Sequence, residues 1–306
     1  MRVFVTGAIG FVGGWLVSEL RQKGHTVVPA PGPEELDITD LDGLARWLGD
    51  PSDPPEAVVH LAGMAFAPDA KTDPAEAFRV NVGGTIALFE ALRLVGIKPA
   101  VLVTGSSEVY GSPRSRDLPL SESARLAPSH PYGMSKIAEE AVAVEASARY
   151  GFPVVVTRSF NHAGPGQRPV FVVPAMARRV VAMQRGETKS IRAGNVNVRR
   201  DLTDVRDVVR AYRLLLEVTA EGSAPASQVV NVASGEAISI RSIIDQLCEL
   251  AGVPPRIEVD GSLVRADDPM EICGDATLLT KLIGWRPEIP LRTTLTDVLA
   301  EARSAS

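Results

Sequence analysis

Tyr132 and Lys136 stand four residues apart in the run Tyr132-Gly133-Met134-Ser135-Lys136. On a helix that spacing puts both side chains on one face. The residues that follow, IAEEAVAVEASARYG, are rich in Ala and Glu with no proline before Gly151, so a helix is expected there. A phenol beside an ammonium is an acid–base device. The cation favours phenolate and is expected to draw the tyrosine pKa down from about 10. Such a tyrosine can give a proton to a carbonyl oxygen or take one from an alcohol. Taken alone, the pair reads first as a solvated helix face, because Tyr and Lys at this spacing arise often by chance. The surrounding sequence decides between the two.

The elements that would position this pair alternate. Arg2–Thr6, His25–Val28, Ala57–Leu61, Ala100–Thr104 and Val154–Arg158 are Val-rich and bounded by Gly or Pro, as buried parallel strands are. Helical patterns lie between them. One runs from Phe11 to Lys23 and stops at Gly24. Another runs from Pro74 to Val95, with Asp73 as N-cap and Gly96 as C-cap. A third begins near Tyr132. This alternation predicts a doubly wound α/β sheet. After Arg158 the rhythm changes. Helical patterns at Val173–Arg185, Asp204–Val218, Ser239–Ala251, Ala276–Ile283 and Leu291–Ala300 surround strand-like SIRAG and Arg256–Val259, which predicts a smaller C-terminal α/β lobe. The division expected is a dinucleotide domain over 1–160, with residues 202–234 packing back on it, and a substrate lobe over 161–201 and 235–306. Ser52–Pro55, Ser112–Pro131 and Ala220–Ser227 read as surface loops.

Two ends of such a sheet carry chemistry. Thr6-Gly7-Ala8-Ile9-Gly10-Phe11-Val12-Gly13 follows the first strand and opens the first helix. Glycines there let the backbone approach a pyrophosphate, and the helix N-terminus supplies N–H groups and a positive dipole end. An ordinary tight turn is the plain alternative. An acid at the end of the second strand would bind adenosine ribose hydroxyls, but that stretch reads Val27-Val28-Pro29-Ala30-Pro31-Gly32, with neither an acid nor an arginine. The choice between NADH and NADPH stays open. Asp37 suits either an adenine amino group or a turn. The fourth strand runs into Thr104-Gly105-Ser106-Ser107-Glu108. Ligands sit beyond the carboxyl ends of strands, so Ser106 can hydrogen-bond the oxygen that Tyr132 protonates, or cap the turn. Glu108 fits a base, a substrate contact or a structural role. His60, at a strand end, fits scaffold better than catalysis.

Composition bounds the rest. The chain has 306 residues, 45% of them hydrophobic, a net charge of -5 and no basic run, which argues against nucleic acid or an anionic membrane as partner. Cys248 and Cys273 lack metal-ligand spacing, and no metal is expected. With no apolar run of spanning length and no leader-like start, the expected location is the cytoplasm.

TGAIGFVG, LDITD, HLAG, NVGGT (Asn81–Thr85), TGSSEVYG and YGMSK, in this order, resemble the extended short-chain dehydrogenase/reductase superfamily of nucleotide-sugar enzymes, the NAD-dependent epimerase/dehydratase family. The resemblance implies a Rossmann-type fold with Ser106, Tyr132 and Lys136 as catalytic triad, joined by Glu108. It implies cofactor contacts from Gly7, Ile9, Gly10, Phe11, Val12, Gly13, Asp37, Ile38, Leu61, Ala62, Gly63, Asn81 and Thr104, with Lys136 holding the nicotinamide ribose and Asn81 helping to place it through water. In the second half, Arg158–Gln167, Phe171-Val172, Gly194-Asn195 and Arg200–Asp207 resemble the branch acting on GDP-mannose derivatives, as do Arg265 and Gly284–Pro287. Within that branch the likeness is to 4-reductases that turn GDP-4-keto-6-deoxy-D-mannose into GDP-D-rhamnose. Ser107, Glu108, Asn161, Val172, Arg200 and Arg265 are then the candidate contacts to a GDP-sugar. For Arg200 the plain alternative is an ion pair with Asp201 or Asp204. The run Arg265-Ala266-Asp267-Asp268-Pro269 departs from the branch, which has proline after the arginine, and places two acids near the expected diphosphate. Members commonly form homodimers through the helices after NVGGT and YGMSK. The alternatives are a 4-epimerase or 4,6-dehydratase that keeps NAD bound, and a dinucleotide-binding module without activity.

Overall fold

The structure is a computed structural model, and the residues described are 1–49, 53–225, 227–264 and 268–304. Arg265 lies outside them, as do Ser52 and Ala226 of the expected surface loops. In chain order the elements are β1 (Arg2–Thr6), α1 (Phe11–Gln22), β2 (Thr26–Pro29), α2 (Leu41–Leu48), β3 (Ala57–His60), α3 (Ala67–Thr72), α4 (Pro74–Phe78), α5 (Gly84–Val95), β4 (Ala100–Ser106), α6 (Pro131–Tyr150), β5 (Val154–Ser159), β6 (Asn161–Ala163), α7 (Val172–Gln184), β7 (Ile191–Ala193), β8 (Arg199–Asp204), α8 (Val205–Ala220), β9 (Gln228–Val232), β10 (Ala237–Ser239), α9 (Ile240–Ala251), β11 (Ile257–Val259), β12 (Glu271–Ile272), α10 (Thr277–Ile283) and α11 (Leu291–Ser304).

Six strands form one parallel sheet in the order β2-β1-β3-β4-β5-β9. Helices cover both faces. Leu16 and Leu20 of α1, Val208 and Leu215 of α8 and Leu279 of α10 bury one face. Leu44 and Leu48 of α2, Leu88 and Leu92 of α5 and Ala146 of α6 bury the other. Each large aliphatic side chain buried this way contributes about 1.5–3 kcal/mol. The order reverses between β1 and β3, and the crevice beyond their carboxyl ends is where such sheets take ligands.

A second core lies beneath the cleft, where Val180 of α7, Ile243 and Leu247 of α9 and Leu295 and Leu299 of α11 meet. Small sheets complete it, with β8 joined to β6, β10 and β12, and β7 paired with β11. Not all of 235–306 belongs to this lobe. Trp285 and α10 pack into the core of the large sheet, and the buried Trp285 indole N–H donates to Asp207 O at 3.0 Å. A large aromatic body with one polar handle suits that place.

The helix expected as continuous from Pro74 to Val95 is interrupted. Asp73 caps its start by accepting from Glu76 N at 2.9 Å, and Gly96 ends it in the left-handed region at φ 79°. Between α4 and α5, Arg79–Gly83 form a π-turn that carries the buried Asn81. Such widened turns are frequent at functional sites.

Candidate active site

The glycine loop links β1 to α1. Gly7 takes φ +67°, the left-handed region, and a Cβ there would lie 2.8 Å from Ala62 N, so the loops after β1 and β3 touch. Gly13 faces inward, and a Cβ on it would lie 2.1 Å from Gly7 O. Thr6 Oγ1 ties the loops together by accepting from Leu61 N at 3.2 Å and Ala62 N at 3.1 Å. With both acceptor positions used, the Thr6 hydroxyl donates to His60 Nδ1 at 2.9 Å. His60 is fully buried and its pKa is pushed down to about 3, first by burial and then by the Lys136 charge. It is a neutral scaffold residue.

A cleft of about 1510 Å³ runs from this loop to the lobe, and every candidate residue except Arg265 and the buried Asn81 can be followed along its wall. Gly7, Ile9, Gly10, Phe11, Val12 and Gly13 line one end with Asp37 and Ile38. Leu61, Ala62, Gly63 and Thr104 line the floor, followed by Ser106, Ser107, Glu108, Tyr132 and Lys136. Asn161, Val172 and Arg200 line the far wall. Asn81 stands behind the floor. Its Oδ1 accepts from Met64 N at 2.7 Å and its Nδ2 donates to Ser135 Oγ at 2.9 Å. A Cβ on Gly63 would fall 2.9 Å from Asn81 Oδ1 and 3.7 Å from Lys136 Nζ, so the gap left by that glycine brings the two side chains near one another.

Tyr132 and Lys136 share the first turns of α6, which Pro131 opens and which His130 caps by accepting from Gly133 N at 3.2 Å. Both side chains are buried. The Tyr132 pKa is raised, contrary to the sequence expectation. Burial is the largest cause and outweighs the Lys136 charge and the Ser106 hydroxyl, with Glu108 and Glu139 adding to the rise. Lys136 donates to Thr104 O at 3.0 Å and lies 2.6 Å from Glu139 Oε2. Ser106 Oγ accepts from Glu108 N at 3.2 Å, so it caps the turn and also faces the phenol. Glu108 reaches His130 Nε2 at 3.0 Å, and the His130 ring lies parallel to that of Tyr132.

Asp37 serves as a turn residue, accepting from Thr39 N and Oγ1, each at 2.9 Å, and from Arg79 at 3.0 Å. Arg200 pairs with neither Asp201 nor Asp204. Its guanidinium goes to Asp268 and to Pro269 O, at 2.9 Å for the latter. Asp201 instead accepts from Ser234, Gly235 and Gly274, and Asp204 from Arg206 and Thr294.

Several residues of the wall escaped sequence reasoning. Tyr212 of α8 meets Ser159 of β5 at 2.6 Å beside the Tyr132 end of the cleft. Phe66 and Phe171 meet edge to face at 5.3 Å between ring centres, with Arg168 over both rings. Tyr212, Phe66 and Arg168 carry no local motif, because each arrives from a distant segment, and Phe171 stands in a run the sequence singles out without a role for its ring. His130 was discoverable, since the residue before Pro at a helix start is the N-cap.

The backbone cradle, the left-handed Gly7 and the inward Gly13 fit a dinucleotide pyrophosphate. Among the described residues no group of His, Cys, Asp and Glu is arranged to hold a metal, and no helix is long and apolar enough to cross a membrane.

Residues 3–233 match the model of the NAD dependent epimerase/dehydratase family. The chain is 35% identical to GDP-6-deoxy-D-mannose reductase of Pseudomonas aeruginosa over 99% of its own length and 97% of that protein. It is 31% identical to a UDP-glucose 4-epimerase of Mycolicibacterium smegmatis, over 95% of each. Among solved structures, that of RMD from Pseudomonas aeruginosa complexed with NADPH superposes with a TM-score of 0.89 at 34% identity, covering 100% of this chain and 99% of that one.

Proposed function

The chain belongs to the NAD dependent epimerase/dehydratase family, and we propose from this premise that it reduces the 4-keto group of GDP-4-keto-6-deoxy-D-mannose, giving GDP-D-rhamnose. The observation that carries the reading is the convergence of Ser106, Tyr132 and Lys136 midway along a cleft that has a pyrophosphate cradle at one end and Arg200 at the other. NADPH or NADH bound at the cradle supplies the hydride. The chain supplies the proton and the geometry. Tyr132 gives its phenolic proton to the oxygen at C4 and takes one back from water, so the ketone becomes an alcohol with charge balanced. Ser106 donates to the same oxygen as negative charge develops on it. Lys136 would offer a free N–H to a ribose hydroxyl, and its charge supports the phenolate left behind. A tyrosine whose pKa is raised stays protonated at neutral pH, which suits a proton donor.

Asn161 and Arg200, with Ser107 and Val172, are the proposed sugar-nucleotide contacts, since a guanidinium fork suits a diphosphate. We place the enzyme in the cytoplasm as a homodimer. α5 and α6 pack side by side, and Ile86 and Leu94 on α5 and Met134 on α6 are exposed apolar side chains suited to a helical interface. Sedimentation of the purified chain reads the dimer directly.

The deciding assay follows absorbance at the reduced-nicotinamide band with enzyme, NADPH or NADH, and freshly made GDP-4-keto-6-deoxy-mannose. A stoichiometric fall is expected and identifies the cofactor. No fall, with NAD released on denaturation, would replace the reading with an epimerase or dehydratase.

A further inference from the structure

One helical turn beyond Lys136, Glu139 is 1% exposed, and its Oε2 lies 2.6 Å from Lys136 Nζ. A buried carboxylate is expensive unless its charge is answered, and the answering charge here is the lysine of the candidate triad. The Glu139–Lys136 contact is an ion pair rather than an aligned hydrogen bond, because Oε2 receives no N–H in good geometry. The lysine therefore faces an anion on one side and, on the other, the phenol it is meant to activate.

The remaining groups around the phenol leave that balance to Glu139. From α6 itself come Tyr132, Lys136 and Glu139. β3 presents His60, which is neutral. β4 and the turn after it present the Thr104 carbonyl, the Ser106 hydroxyl and Glu108, which is exposed and paired with His130. α5 brings Thr85 beside Glu139, with its hydroxyl donating to Asn81 O at 2.7 Å, and α8 presents Tyr212 as a neutral phenol. Lys136 is the one cation among these described groups, and Glu139 is the buried anion set against it.

We propose that Glu139 is a positioning residue that offsets part of the Lys136 charge and so keeps Tyr132 a proton-donating phenol to higher pH, widening the alkaline range over which the site reduces a ketone. This rests on the reductase reading above. An ammonium without this counter-charge would stabilise phenolate, the form that takes a proton from an alcohol. Against burial, the Glu139 charge raises the lysine pKa, while burial, the largest cause, raises that of Glu139 itself against the Lys136 charge.

Two measurements on the full-length protein test it. The first is the pH profile of kcat for NAD(P)H-driven reduction in the wild type, Glu139→Gln and Glu139→Asp. Loss of the carboxylate should move the alkaline limb towards lower pH by about one unit, a tenfold change in the ionisation constant, and Asp should restore part of the shift. The second is the ultraviolet titration of phenolate in the same proteins, each corrected by its Tyr132→Phe counterpart to isolate one of the four tyrosines. Phenolate should form at lower pH in Glu139→Gln. An unchanged titration, or one moved to higher pH, would overturn the proposal, as would an even loss of kcat at every pH. If the wild type consumes no NAD(P)H, the reductase reading fails by itself, and the phenolate titration still decides the role of Glu139.

Discussion

Arg200 and Asp268 form an ion pair across the far wall of the cleft, with the guanidinium side chain 13% and the carboxylate 28% exposed. The arginine offered to a diphosphate is therefore already engaged by an acid of this chain, in the segment where the sequence departs from its branch. A ligand must compete with that acid. Substitutions on the two sides should act in opposite directions. Arg200→Lys loses the planar fork and should raise KM for the GDP-sugar about tenfold or more, while leaving that for the dinucleotide unchanged. Asp268→Asn releases the fork and should lower the sugar KM severalfold. Steady-state kinetics in each substrate reads both, and equal effects of the two substitutions would remove Arg200 from the diphosphate site.

Tyr132→Phe keeps the ring in its buried seat and removes only the oxygen that carries the proton. Turnover should fall by about 10²–10⁴, the usual worth of a positioned general acid. Dinucleotide affinity, measured by fluorescence titration, should stay within a few-fold of the wild type. Near-normal turnover in this variant would mean that the proton comes from elsewhere.

His60 makes stability depend on pH with a definite sign. Its folded-state pKa of about 3 lies below the ordinary 6.5. The unfolded chain therefore takes up a proton at that position while the native chain does not. Stability is full above about 6.5 and falls as pH drops towards about 3. At about 1.36 kcal/mol per unit, this position accounts for about 2 kcal/mol of the loss between pH 6.5 and 5. Urea melts of the wild type and His60→Asn at those two pH values check this. The variant starts less stable, because the bond to Thr6 changes, but should lose about 2 kcal/mol less between them. Equal losses would show that His60 is protonated in the native state.

What the sequence made legible follows from where the information resides. Val-rich runs and the helices between them name the large sheet, because burial on both faces leaves a continuous apolar run. Strands such as β8, reading RRDLTD, and β6, reading NHA, carry no such pattern, since they pair over short lengths in a small sheet half open to the cleft. The Tyr132–Lys136 spacing correctly gave a shared helix face, yet the sign of the tyrosine pKa shift was out of reach. That sign depends on burial and on Glu139, and a carboxylate three residues beyond a lysine on a helix reads as a surface pair until its exposure is known. The partner of Arg200 was equally hidden, because Asp268 comes from 68 residues away.

Gly13 and Gly14 are neighbours at the start of α1 with opposite surroundings. A Cβ on Gly13 would sit 2.1 Å from Gly7 O and 2.8 Å from Ala8 Cα, and backbone on both sides cannot give way without moving the loop. A Cβ on Gly14 would meet nothing within 4 Å. Gly14→Ala should therefore stabilise the helix by about 0.5–1 kcal/mol, the ordinary gain in helix propensity, and leave dinucleotide affinity unchanged. Gly13→Ala should lose about 1–3 kcal/mol to overpacking and weaken dinucleotide binding more than tenfold, because relief of the contact pushes the loop away from the pyrophosphate. Thermal melts with and without NADPH or NADH separate the two effects. A Gly13→Ala protein with wild-type stability and wild-type affinity would show that α1 can slide off the loop at no cost, and the close approach of helix to loop would then not be what shapes the cradle.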